Sequence, residues 1–412
     1  MENVITLSHF GIQCDWEDAL GASTEGKCWV SVRTHGQDKS VQSELRRTAS
    51  NSDTIGSFPF VVVKEKSSSR FLTLQNVPDG QECVFVATSS ALGKVHKAGV
   101  IAMDVSEGGL GVSICKNNEL KIWETDTGNV RRVLQGHLID AYTCRFFPSG
   151  VVILSGGADC CIKIWSAETG DCPVTFKGHT GPIAEVCIVD RGRNIISVSK
   201  DGSARLWDCG EAKCLATIFS CKSAINSCIL MAPTNYELGN PIQTMSDREV
   251  GTKGKLLVVG REDGKVSGVS VAARKELFTC ILPSAVNRVV QVGYNSFAGG
   301  CQGGEILVFQ LNSLSQPIKI LSPTSSPILD LLIHPHKTDS NISSFWASKG
   351  DGTCVLINPS IQPCSKVIQL TGPDCDPVYQ LRNDLDFIYS ACRDGLIRKY
   401  SLKVINSLAG LP

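Results

Sequence analysis

The chain has 412 residues, and its 40 Lys+Arg balance 40 Asp+Glu, so no net field marks it as a binder of nucleic acid or of a membrane surface. Its nineteen cysteines form no CxxC pair and stand at no metal-ligand spacing, which argues against a disulfide framework and against a zinc site. They read as reduced thiols packed as small apolar groups, with no metal or other cofactor expected. The opening residues 1–10 lack a basic stretch ahead of an apolar core, and no apolar run approaches about 18 residues. Neither a signal peptide nor a membrane span is expected, and the compartment implied is the cytosol, with the nucleus as a second location. Along the chain, residues 28–32 and 60–63 look like strands. Between them residues 39–57 are Ser-rich, carry Arg46-Arg47, and read as a flexible loop. Residues 1–80 are therefore taken as a small N-terminal domain, or as an extension that packs on the remainder of the chain.

From residue 81 an internal repeat governs the chain. Trp123, Trp165 and Trp207 are spaced by 42 and 42 residues, preceded by Leu120-Lys121-Ile122, Ile162-Lys163-Ile164 and Ala204-Arg205-Leu206. Gly136-His137 and Gly178-His179 each stand 28 residues ahead of one of these tryptophans (counting from the His), and Asp159 and Asp201 stand six ahead. This is the WD-repeat layout of about 40–45 residues per blade. A turn residue six positions before an apolar or aromatic one persists at Asn117/Trp123, Asp263/Val269, Gly303/Phe309, Asp351/Ile357 and Asp394/Tyr400. With the two clear pairs, seven columns predict an all-β, seven-bladed WD40 propeller over 81–412. The long fourth interval places an insertion at 232–253, and a shorter one is expected near 336–341. Within one repeat, strands at 142–147, 151–154, 161–165 and 172–176 are bounded by Gly, Pro and Asp and are rich in β-branched and aromatic residues. To close the ring, residues 82–87 (ECVFVA) are the candidate N-terminal strand of the last blade; 404–407 is the alternative.

His137, Ser155, Asp159 and Trp165 form a His/Ser/Asp set that could be taken for a hydrolase triad, but His179, Ser197, Asp201 and Trp207 repeat it. A hydrolase needs one activated nucleophile with an oxyanion hole, so the repeated set is read as a structural hydrogen-bond network. No phosphate-binding glycine motif follows a strand and opens a helix, and the scattered basic residues lack interleaved aromatics. His334-Pro335-His336 reads as a surface loop. No enzyme activity is expected. Partner binding falls to the rim where inter-blade loops and second-to-third-strand turns gather. Asp140, Glu185, Glu262, Asp263, Asp351, Asp374, Asp376 and Asp394 map there as a mildly acidic patch.

Several stretches go beyond generic repeat signatures. Trp16-Glu17-Asp18-Ala19-Leu20, Arg145-Phe146-Phe147-Pro148-Ser149-Gly150, Arg205-Leu206-Trp207-Asp208-Cys209-Gly210, Arg248-Glu249-Val250-Gly251-Thr252 and Leu370 through Tyr379 (LTGPDCDPVY) closely resemble the proteasomal ATPase-associated factors. The resemblance runs from Ile12 to Tyr400. It implies an assembly chaperone of the proteasome regulatory particle that holds the C-terminal domain of one AAA-ATPase subunit of the base. The propeller face would then offer acidic groups to a basic helical surface, and Asp247 and Glu249 join Asp374 and Asp376 as partner-binding candidates. A monomer is expected, with no nucleic acid and no membrane among its partners. A different binding module, a WD40 substrate receptor or scaffold of a ubiquitin ligase, is the alternative.

Overall fold

In the computed structural model, residues 4–21, 26–34, 36–37, 39–47, 54–63, 70–322, 324–335, 342–359 and 366–409 are described. Among these residues the chain forms seven antiparallel units of four strands each. Their innermost strands are Val100–Val105, Ala141–Phe146, Ile183–Val189, Ile225–Met231, Val286–Gly293, Ile328–Ile333 and Val378–Asn383. Each lies against the next, and the seventh returns to the first, so the units close into a ring of blades. Trp123, Trp165, Trp207, Val269, Phe309, Ile357 and Tyr400 all fall on third strands, all nearly inaccessible to solvent. No blade hides both of its faces alone, which is why the second strands, packed between neighbouring blades, are buried almost throughout.

Two backbone features recur in every blade. The inner strand carries a bulge just after its first residue, at Val100/Ala102, Ala141/Thr143, Ile183/Glu185, Ile225/Ser227, Val286/Arg288, Ile328/Asp330 and Val378/Gln380. The loop entering each blade also receives a hydrogen bond from the turn between the second and third strands. The donors are the N–H groups of Lys116, Ala158, Lys200, Glu262, Gln302, Gly350 and Arg393. Their acceptors are the carbonyls of Gly99, Asp140, Pro182, Ala224, Ala285, Pro327 and Pro377, at 2.7–3.0 Å. These seven bonds fix one face of the molecule, because they satisfy loop backbone that would otherwise compete for water.

Ring closure differs from the expected scheme. The fourth strand of the last blade is Ser90–Leu92, antiparallel to Ile397–Ser401, and 404–407 belongs to the helix Leu402–Ala409. Glu82–Val86 instead runs parallel to Lys366–Leu370, the outer strand of blade six. The reason lies in its composition. Cys83 and Phe85 enter one core cluster while Val84 and Val86 enter another, so this strand needs cover on both faces. Only a position between blade six and an outer layer supplies that. The terminal helix forms because Leu402 and Ile405, spaced by three, bury on one side.

That outer layer is built by the N-terminal residues. Val4–Thr6 adds in parallel to Ile318–Leu321 of blade five. Phe60–Val62 and Phe71–Asn76 extend the sheet of blade six through Glu82–Val86. His9–Ile12, Lys27–Arg33, Val41–Arg47 and Thr54–Gly56 form a four-stranded sheet of their own. The loop expected at 39–57 is therefore two strands, with 48–53 outside the described residues. Its polar sequence misleads because only Leu45 of Val41–Arg47 is buried. Phe10, Trp16, Leu45 and Phe60 share one continuous core with Ala298, Val308, Phe345 and Val355 of blades five and six. Trp16 donates to Thr371 Oγ1 at 3.1 Å. The insertion 232–253 lies within the link between the first two strands of blade four and folds back on blade three, where Arg248 meets Asp208 at 3.1 Å. The insertion expected near 336–341 lies outside the described residues. No helix among the described residues is long and apolar enough to cross a membrane.

A shared core predicts shared melting. Phe10→Ala should cost about 3–5 kcal/mol and lower a single cooperative transition measured by circular dichroism. An early separate transition confined to the N-terminal layer would contradict that continuity.

Candidate functional site

The His/Ser/Asp sets form hydrogen-bonded chains inside their blades. In blade two, His137 Nδ1 lies 2.9 Å from Asp159 Oδ2, His137 Nε2 lies 2.7 Å from Ser155 Oγ, and Trp165 Nε1 donates to that Oγ at 2.8 Å. Blade three repeats the chain from Asp201 through His179 and Ser197 to Trp207, at 2.8, 2.7 and 2.8 Å. Burial pushes both imidazoles below their ordinary value despite the aspartates. Burial pushes Asp201 up. Hydrogen bonds from the Ser203 hydroxyl, the Thr180 N–H and His179 outweigh it and hold the carboxyl well below its ordinary range. Each serine is engaged on both sides by His and Trp, so neither is presented as a nucleophile.

Two further Trp–His contacts escaped the sequence reading. Trp123 donates to Ser113 Oγ at 2.9 Å, and that hydroxyl lies 2.7 Å from His96 Nε2. His96 lacks the preceding glycine and stands 27 rather than 28 residues ahead of its tryptophan, which hides the pattern. In blade six, Trp346 donates to His334 Nδ1 at 3.1 Å, while His334 Nε2 lies 2.9 Å from Asn406 Oδ1 of the terminal helix. His334 is thus buried and belongs to a packed pair, not to the surface loop expected; His336 lies outside the described residues.

The axis of the ring holds a closed circuit of charge. Arg145 meets Glu185 at 3.1 Å, Glu185 meets Arg288, and Arg288 meets Asp330 at 2.7 Å. Asp330 meets Arg382 at 3.0 Å, Arg382 lies 3.5 Å from Asp104, and Asp104 lies 4.0 Å from Arg145. Three guanidiniums and three carboxylates thus alternate across the inner strands of six blades. Burial opposes the charge on Arg288 and Arg382, and Asp330 pulls the other way.

This circuit removes Glu185 from the acidic rim, because its side chain is buried and ion-paired. The other candidates divide between opposite ends of the strands. Asp140, Glu262, Asp263, Asp351, Asp374, Asp376 and Asp394 lie on loops entering blades or on second-to-third-strand turns, and so share one face. Asp247 and Glu249 lie in the link between the first and second strands of blade four, at the other end. Glu249 is also buried against Arg274. The sequence could not separate these groups, since faces are set by strand direction. Within the first face, Glu262 pairs with Lys200, Asp263 with Arg261, Asp376 with Arg393 and Asp394 with Arg398. Asp351 accepts from the N–H and hydroxyl of Thr353. Asp140 and Asp374 are exposed with no ion pair among the described residues. Beside Asp140 stand Leu138, 88 % exposed, Ile139 and, across the bulge, Tyr142. Those apolar groups were not among the residues singled out from sequence.

The WD domain, G-beta repeat family matches residues 128–166 and 170–208. The chain is 42% identical over 396 residues to proteasomal ATPase-associated factor 1 of Gallus gallus, covering 95% of this chain and 98% of that protein. The chain belongs to the proteasomal ATPase-associated factor 1 family. The Homo sapiens member is 40% identical over 398 residues, at 95% and 98% coverage. A protein of Dictyostelium discoideum named as a probable proteasomal ATPase-associated factor 1 is 34% identical over 420 residues, with 96% of each chain covered. The repeats and the names of these relatives support a proteasome-associated WD-repeat factor.

Two outcomes follow from the buried polar groups. Asp330→Ala leaves Arg288 and Arg382 buried without their shared partner and should cost about 3–5 kcal/mol in urea unfolding. His137→Ala, which removes one hydrogen-bond partner each from Asp159 and Ser155, should cost about 1–3 kcal/mol; unchanged melting would remove the network from the account of stability. A pH effect also follows. The folded values of His96, His137 and His179 lie below the ordinary 6.5, His96 at about 4. Stability from these groups is complete above that ordinary value and is lost as the pH falls from it toward the folded values, because the unfolded chain takes up protons first. The melting temperature should therefore be lower at about pH 5 than at about pH 7.5, and His179→Gln should flatten the slope.

Proposed function

We propose that this chain is a non-catalytic assembly chaperone of the proteasome regulatory particle. It holds the C-terminal domain of one AAA-ATPase subunit of the base against the face that carries the blade-entry loops. The observation that carries this reading is the pairing of family membership with the 135–140 and 371–377 loops. There Asp140 and Asp374 stand exposed and unpaired by cations, with Leu138, Ile139 and Tyr142 alongside Asp140. Apolar side chains at the centre of an interface supply burial, and carboxylates at its edge steer a basic partner and fix its register. The blades behind these loops are rigid, so little ordering entropy opposes binding. The chain acts as a monomer, in the cytosol and the nucleus.

Titration of the full chain against the isolated C-terminal domain of each proteasomal ATPase, at low and high salt, tests the proposal. Binding to one domain, weakened by salt, is expected. Asp140→Lys combined with Asp374→Lys should weaken it about tenfold or more, equivalent to about 1.4 kcal/mol, and Leu138→Ala should weaken it at either salt. Asp247→Lys, on the opposite face, should leave it unchanged. Binding to none of the domains would overturn the reading in favour of a scaffold or ligase-receptor role, and insensitivity to the Asp140 and Asp374 reversals would move the interface off this face.

A further inference from the structure

We propose that blade one carries a zinc-binding site formed by His96 Nδ1, Cys115 Sγ and Glu119 Oε2, with its fourth position open to water. The three ligand atoms lie within 4.8 Å of one another. His96 Nδ1 is 3.8 Å and Cys115 Sγ 3.7 Å from the same Glu119 oxygen. Bonds of about 2.0–2.3 Å at a tetrahedral angle require ligand separations of about 3.3–3.8 Å, and both separations from the Glu119 oxygen already lie at that spacing. Imidazole, thiolate and carboxylate together suit zinc, and they neutralise its two charges.

The site arises from a local departure in the repeat. In blades two and three the inward nitrogen of the blade-entry histidine meets Asp159 or Asp201. In blade one that column holds Asn117, and His96 Nδ1 is left buried with no hydrogen-bond partner among the described residues. His96 itself is 3 % exposed and Cys115 1 %, whereas the carboxylate of Glu119 reaches solvent and leaves an entry path. A buried ring nitrogen without a partner is costly, and a metal ion satisfies it. The other side of the ring is already arranged for ligation. With Nε2 carrying the proton, it donates to Ser113 Oγ at 2.7 Å, the outer-shell bond that metal-bound histidines commonly make. Ser113 is held in turn by the Trp123 indole. On binding, the Cys115 thiol releases its proton to solvent and its sulfur donates a pair to the ion; no electron changes hands.

One group opposes the ion. Lys121 Nζ lies 2.7 Å from Glu119 Oε2 and 3.2 Å from the Val95 carbonyl. It occupies the cation's place in the apo protein, and its flexible stem must carry the ammonium to the other carboxylate oxygen or into solvent when metal arrives. Lys121 therefore sets affinity without being a ligand.

The test is spectroscopic, on the full chain stripped with a chelator. Cobalt(II) replaces zinc in such sites, and thiolate ligation gives a sulfur-to-cobalt charge-transfer band. The wild type should show a stoichiometric band that zinc abolishes. Cys115→Ser should lose it, Glu119→Gln should weaken binding about 10–100-fold, and Lys121→Met should tighten it. Circular dichroism melts of each apo variant establish that the fold persists. Because the chain holds other thiols, a band that survives in folded Cys115→Ser would overturn the assignment, as would a wild type that shows no band and no zinc-dependent rise in melting temperature.

Discussion

The inner strands of a closed ring must all point some side chains at one axis. In this molecule the space is filled by Arg145, Arg288 and Arg382 alternating with Asp104, Glu185 and Asp330. Each ion is costly to bury, and each is flanked by two of opposite sign. The carboxylates also reach along the ring: Asp104 accepts from the Phe146 N–H and Asp330 from the Leu381 N–H. The remaining junctions use Thr143 to Glu185, the Cys187 thiol to the Cys228 carbonyl, Asn226 to Val286, Asn287 to Ile328, and the Met103 N–H to Gln380. Three of the groups that fill the centre, Asp104, Glu185 and Asp330, thus also join neighbouring blades. The loops of either face inherit their positions from the spacing these bonds help to set.

The blade architecture was legible because period is a backbone property. Six residues from turn to third-strand apolar group, repeated seven times, survive even where Trp is replaced by Val269 or Ile357. What was not legible was which strand completes which sheet. The run at 82–86 looked suitable for an ordinary outer strand because it is apolar at every second and every adjacent position. The same property sent it between two layers, while Ser90–Leu92, with one buried residue, needed cover on one face alone. The polar strand Val41–Arg47 was hidden for the complementary reason, since an edge sheet buries only Leu45.

Charge was harder to read than fold. The acidic residues of turns were found, but sequence spacing says nothing about which carboxylates already own a cation. Glu185 and Glu249 do, deep in the molecule, and Asp376 and Asp394 do near the surface. Nor does it say which end of a strand a loop occupies, which grouped Asp247 with carboxylates that lie on the opposite face. The pair Leu138-Ile139 was overlooked because an apolar dipeptide before an inner strand resembles the strand itself. The histidine of blade one was overlooked because its spacing to the tryptophan is one residue short, and Asn117 in place of the turn aspartate leaves its ring nitrogen facing a thiol and a carboxylate.

The strand Ser90–Leu92 is made by the ribosome long before its partner Ile397–Ser401. Val4–Thr6 and Glu82–Val86 likewise wait for the outer strands of blades five and six. During translation the growing chain therefore carries unpaired strand edges until the final blade is complete, and contacts of such long sequence separation form slowly. A message truncated anywhere within the last blade yields a protein that cannot close, with adhesive edges at both ends.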